Sequence, residues 1–256
     1  MIKKIIMGAA ILASSSFATY SYFPVPAAQS GEIKIVADFT TQDKGKYLDL
    51  SAKGRFVPIK NLEFFAILPF TVITRWDGND SDQEGMKNLT FGGRYQIIPN
   101  VAAFLDATFP TGKDAINDDG FKFYFGGQYS KDFGVVNLGT EAGLAITTEG
   151  SDHKKPPMAL KLAAELDPAV SPMVTPYVGV GLTIVLNDQE ISGHKELNTS
   201  GDIGISPYLG ANVKMNQMLS FDLSIAFTFG EDYLAHTCNG NTKTPITLTA
   251  SFNTSF

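Results

Sequence analysis

A chain of 256 residues with a net charge of −6 lacks the clustered lysine and arginine needed to neutralise nucleic-acid phosphates, so a nucleic-acid partner is excluded. A mean hydropathy of +0.02, with no internal apolar run of spanning length, excludes a bundle of membrane helices. Cys238 is the only cysteine, so no intrachain disulfide can form.

The first element is a targeting segment. Lys3 and Lys4 precede an apolar run from Ile5 to Ala13, and small residues follow, ending in Ser16-Phe17-Ala18. A basic start, a short apolar run and a small-residue site describe a secretory signal peptide over residues 1–18, cut after Ala18. No cysteine lies near that site, which argues against a lipid anchor. Residues 19–31 form a Pro/Ala/Ser-rich lead, expected in the periplasm, and the sequence leaves open whether it enters the structure that follows as a plug.

From Glu32 onward one pattern recurs about twelve times: apolar residues alternate with polar ones in segments as long as a tilted membrane-spanning strand. Ile33, Ile35, Ala37 and Phe39 share one face of the first segment. Leu48, Leu50, Ala52 and Phe56 share a face of the second, with Asp49, Ser51, Lys53 and Arg55 opposite. The third, Leu62 to Trp76, places Leu62, Phe64, Ala66, Leu68, Phe70, Val72 and Trp76 together. Further segments run near 87–98, 101–109, 120–131, 135–148, 157–167, 174–186, 203–214, 218–229 and 244–256. Short, turn-like links such as Lys60-Asn61, Pro99-Asn100 and Asn216-Gln217 alternate with long polar ones. That alternation predicts an all-β, antiparallel, up-and-down transmembrane β-barrel over residues 32–256, with about twelve strands and both termini on the short-turn, periplasmic side.

A soluble barrel of lipocalin type or a sandwich would give the same alternation with the apolar faces turned inward. Size argues against it, because eight strands already make an interior just wide enough for side chains to fill. The polar faces also carry small residues, Gly139 and Gly143 or Gly179 and Gly181, which suit a lumen. The final segment keeps its alternation to Phe256, as a strand closing on the first would, since closure removes the unpaired edge.

The stretch "LTFGGRYQIIPNVAAFLDATFPTGKD" followed by "GFKFYFGGQYSKDFGVVNLGTEAGLAI" resembles the outer-membrane channel family found with phenol meta-cleavage pathway genes. The resemblance rests on Gly92 and Gly93, on Pro110-Thr111-Gly112 and on the turn from Lys131 to Gly134, and covers roughly residues 89–146. It implies an outer-membrane channel or passive transporter for small solutes, apolar or aromatic ones among them. The terminal Phe256, with Phe252 before it, is similar to the C-terminal signal read by the barrel-assembly machinery, although Thr254 stands where an apolar residue is usual. Outer-membrane lipid would be the other partner.

On this register the lumen-facing charges are Lys34, Asp38, Asp49, Lys53, Arg55, Glu63, Arg75, Arg94, Asp106, Lys122, Glu141, Lys161, Glu165, Lys214 and Asp222. Two readings stand: a network of ion pairs holding the interior together, or a constriction whose charges set solute preference. Their near balance of signs predicts weak ion selectivity. Trp76, Tyr95, Tyr129 and Tyr177 lie near strand ends and are expected as interfacial anchors. The acidic run Asp77 to Gly85 lacks the glycine and terminal glutamate of a calcium loop. His153, His194 and His236 all fall in long links, and no Ser/His arrangement is present, so no catalytic residue is assigned. His236 with Cys238 offers only two metal ligands, too few for a site, and no cofactor is expected. The rival functions are a lipid-processing enzyme of the outer membrane and a structural or surface-binding barrel acting through its loops.

Overall fold

The computed structural model describes residues 20–42, 45–76, 79–80, 84–113, 116–117, 119–151, 153–230 and 244–256, without the side chains of 76, 79 and 80. The signal peptide, His236 and Cys238 therefore lie outside the described residues, as do the side chain of Trp76 and much of the acidic run after it.

Twelve long strands follow one another in space as in sequence: β1 Gly31–Gln42, β2 Gly45–Ile59, β3 Leu62–Trp76, β4 Leu89–Ile98, β5 Val101–Phe109 and β6 Lys122–Asp132. The second half comprises β7 Val136–Thr147, β8 Ala159–Pro168, β9 Val174–Val185, β10 Ile203–Lys214, β11 Leu219–Phe227 and β12 Ile246–Ser255. Every neighbouring pair is antiparallel, and β1 pairs with β12 from Glu32 opposite Ser255 to Thr41 opposite Ile246, so the sheet closes on itself. Gly31 and Phe256 exchange backbone hydrogen bonds of 2.8 and 3.0 Å at the end of that seam. The strands need these residues because successive side chains point to opposite sides, and only an alternating sequence can satisfy two different environments at once.

The polarity of the two faces is the reverse of a water-soluble protein. Glu63, Arg94, Gln96, Asp106, Gln128, Glu141, Lys161, Ser206 and Asn253 are buried, whereas Ile35, Phe64, Leu68, Phe91, Leu105, Val180, Leu209 and Leu223 are exposed around the outside. A monomer in water would not leave such a continuous apolar girdle bare. This is a transmembrane barrel with a polar interior, and the soluble alternative is set aside on that ground.

The two ends differ. At one, β2 and β3 are joined through Lys60-Asn61, with Asn61 at φ 69°, in the left-handed region that asparagine tolerates in turns. At the other, the long links carry structure that the alternation did not signal. Lys154–Lys155, Gln189–Ile191 and His194–Leu197 form a separate three-stranded sheet, and Gly85–Met86 adds to the edge of β3. A bulge in β3 also shifts the phase there. Leu48 faces Ile73 while Asp49 faces Thr71, leaving Val72 as the extra residue.

Candidate functional site

The interior is organised around residues that precede the barrel. Tyr20 to Val25 lies within it, held mainly through its backbone. Arg94 on β4 donates from Nη1 to the carbonyls of Ser21 (2.6 Å) and Phe23 (2.9 Å), and Gln128 on β6 donates to Ser21 at 2.9 Å. The Val25 amide donates to Gln96 at 2.9 Å. Tyr22 is buried with its Cβ beside Gly139, where no side chain would fit. The ring of Tyr20 lies 5.7 Å from that of Phe65, with the Arg55 guanidinium 4.9 Å and the Lys34 ammonium 5.1 Å from its centre. Aromatic faces attract cations at this range. The lead segment thus enters the barrel, which the sequence had left open.

Behind the segment runs a connected polar network. Arg94 forms a two-pronged pair with Glu63, at 2.7 Å from Nε and 2.9 Å from Nη2, both side chains being fully enclosed. Gln128 accepts from Arg94 and donates to Glu141 at 2.7 Å, and the Tyr124 hydroxyl donates to Glu141 at 2.5 Å. Arg55 bridges Glu32 (3.0 Å) and Glu63 (3.5 Å), while Lys34 pairs with Glu32 at 3.1 Å. Charges removed from water persist only when paired in this way. Nearer the long links, Asp49 accepts from Lys87 at 2.9 Å and from Thr71 at 2.7 Å.

On the other side of the segment a cavity of about 460 Å³ remains, walled by Tyr20 to Phe23 and by β1, β2, β8 to β12. Two reciprocal pairs shape its wall: Tyr208 lies over Gly179 and Tyr177 over Gly210 across the β9–β10 ladder. Each ring occupies the space that a side chain on the facing glycine would need. Their hydroxyls reach Glu165 and Asp222, both at 2.7 Å. Asp38 accepts from Thr249 at 2.5 Å, and Ser206, Thr228, Thr247 and Ser251 complete a hydroxyl-rich surface.

The fifteen charges expected on the lumen face divide as follows. Glu63, Arg94, Asp106, Glu141 and Lys161 are buried; Lys34, Asp38, Asp49, Lys53, Arg55, Lys122, Glu165 and Asp222 are half-buried. Lys214 is exposed, at the last residue of β10. Arg75 requires a correction: the bulge at Val72 turns Thr74 inward, at 2% exposure, and leaves Arg75 on the exposed phase. Tyr177 requires another. It is no interfacial anchor but part of the cavity wall, whereas Tyr95 and Tyr129 are exposed on the outside. Phe252 and Phe256 are exposed at the β12 edge of the seam. Missed altogether were Tyr20, Tyr22, Gln96 and Gln128. The clue was the run Tyr20-Ser-Tyr-Phe23, strongly aromatic for a lead otherwise rich in Pro and Ala. Among the described residues, no group of three or more His, Cys, Asp or Glu is placed to hold a metal ion.

The fold is similar to several solved structures. An outer membrane channel from Pseudomonas putida F1 superposes with a TM-score of 0.69 at 15% identity, covering 93% of this chain and 99% of its own. The NanC porin gives 0.58 at 8% identity over 87% and 98% of the two chains. The CymD monoaromatic hydrocarbon channel gives 0.53 at 9% identity over 98% and 93%. Curated protein sequences contain no significant match. The family described as "Putative MetA-pathway of phenol degradation" matches residues 14–238, most of the chain, and the protein belongs to that family.

Proposed function

We propose that the protein is a passive channel for small solutes in the bacterial outer membrane, delivered by its signal peptide and oriented with both termini in the periplasm. The observation that carries this reading is the cavity beside the N-terminal segment: a closed barrel keeps a hydroxyl-lined space inside an apolar outer wall. The solved structures of similar fold named above are channels and porins, which supports a transport role over an enzymatic one. Aromatic solutes suit the same space, since Tyr20, Tyr22, Tyr177 and Tyr208 line it, and one of those structures is a monoaromatic hydrocarbon channel.

The inward charges then have two roles. Glu63, Arg94, Arg55 and Asp49 are spent on ion pairs that brace the wall and anchor the segment. Lys34, Asp38, Lys53, Glu165 and Asp222 border the space a solute would occupy. Phe252 and Phe256 serve assembly, as the residues read by the barrel-assembly machinery.

Conductance across a planar bilayer tests the reading. The refolded chain should give discrete, stable steps, and a variant lacking residues 20–25 should give larger ones. Silence from both, in protein shown to be folded β by circular dichroism, would overturn it.

A further inference from the structure

The cavity carries charges of opposite sign on opposite walls. Lys53 lies on β2 and Glu165 with Asp167 on β8, six strands away in a ring of twelve, and all three border the same space. Lys53 makes no direct hydrogen bond or contact ion pair with any described residue, its attraction being to Asp38 on the neighbouring strand. Lys34 beside it is committed to Glu32, and Asp38 is met by Thr249. Across the space Glu165 accepts from the Tyr208 hydroxyl, Asp222 accepts from Tyr177 and Asn212, and Asp167 Oδ1 has no partner among the described residues. None of these three carboxylates makes a contact ion pair with a described cation, and Lys34 attracts Glu165 and Asp222 from across the space. The contact ion pairs described for this interior centre on Arg94, Arg55 and Glu32, with Lys87–Asp49 nearer the long links.

Opposite charges facing a shared gap, with no contact ion pair described across it, are complementary to a solute carrying both signs. The low-dielectric walls strengthen that attraction relative to bulk water. We propose that this cavity is a selectivity site for small zwitterions, the ammonium turned to Glu165, Asp167 and Asp222 and the anionic end to Lys53. The tyrosine rings of the same wall add favourable faces for the ammonium. This rests on the channel reading and names the solute class of that passage.

Swelling of phosphatidylcholine vesicles containing the refolded protein tests it, with glycine as the zwitterion and glycolamide as an uncharged solute of equal size. Glycine should enter faster than glycolamide, by on the order of fivefold for one well-placed charge contact at each end. Lys53→Met and, separately, Glu165→Gln should each bring the ratio toward one by slowing glycine entry. Either variant suffices if the other fails to fold. A wild-type ratio of one, or a ratio that neither folded variant alters, would overturn the zwitterion site while leaving the channel intact. Failure of glycolamide itself to enter would instead count against the channel.

Discussion

Arg94 makes five hydrogen bonds, two to Glu63 and one each to Ser21, Phe23 and Gln128, using a planar fork that a lysine could not supply. Removing it would leave the Glu63 carboxylate enclosed without its closest partner. Arg94→Ala should therefore destabilise the barrel by about 3–5 kcal/mol in denaturant unfolding, as breaking one side of a buried pair does. Gly179 belongs to a different class of constraint. Any Cβ there meets the Tyr208 ring, so Gly179→Val should push the ring off the wall, break its bond to Glu165 and cost about 1–3 kcal/mol by the same measurement. Alternation sufficed to turn Glu63, Arg94 and Glu141 inward, because a period of two assigns faces. It could not place Arg75, because one extra residue at Val72 reverses every assignment beyond it, and a bulge leaves no mark on composition.

At the scale of elements, all twelve strands were legible, since each is long enough to repeat its pattern four or five times. The short strands of the long links were not, because two or three residues carry no period. The hairpin Gln189–Ile191 and His194–Leu197 is closed at its base by Asp188, which accepts from Lys195 at 2.6 Å and from the Thr199 and Ser200 amides at 3.0 and 3.1 Å. The Lys195 bond, then those of the Ser200 and Thr199 amides, hold this carboxyl below the usual aspartate range. A carboxylate depressed in the folded state contributes its stabilisation above the ordinary range and loses it as pH falls through the folded value. On acidification below the aspartate range, the Thr199 and Ser200 amides should lose protection in hydrogen exchange relative to the rest of the barrel. Asp188→Asn should remove that pH dependence.

For the whole molecule, the outward apolar surface decides the environment. Leu105, in the middle of β5 and exposed, is expected to face hydrocarbon, so Leu105→Arg should destabilise refolded protein in lipid vesicles by about 2–4 kcal/mol. The same substitution should have little effect if that face met water. The closed ring was legible from the unbroken alternation of long and short links. The occupation of its interior by Tyr20 to Val25 was not, because a segment that binds through backbone carbonyls and an amide needs no particular side-chain pattern to do so.

The seam between β1 and β12 has a kinetic consequence. It joins residues more than two hundred positions apart, such as Asp38 and Thr249, separated by 211. Contacts so remote form late, because the loop entropy they cost must be met before they contribute anything. The leading segment, bonded to β4 and β6, can engage while that seam is still open, drawing the free edge of β1 across the concave side of the growing sheet. The residues that later narrow the interior would thus act first as a mandrel, curling the sheet until its two ends meet.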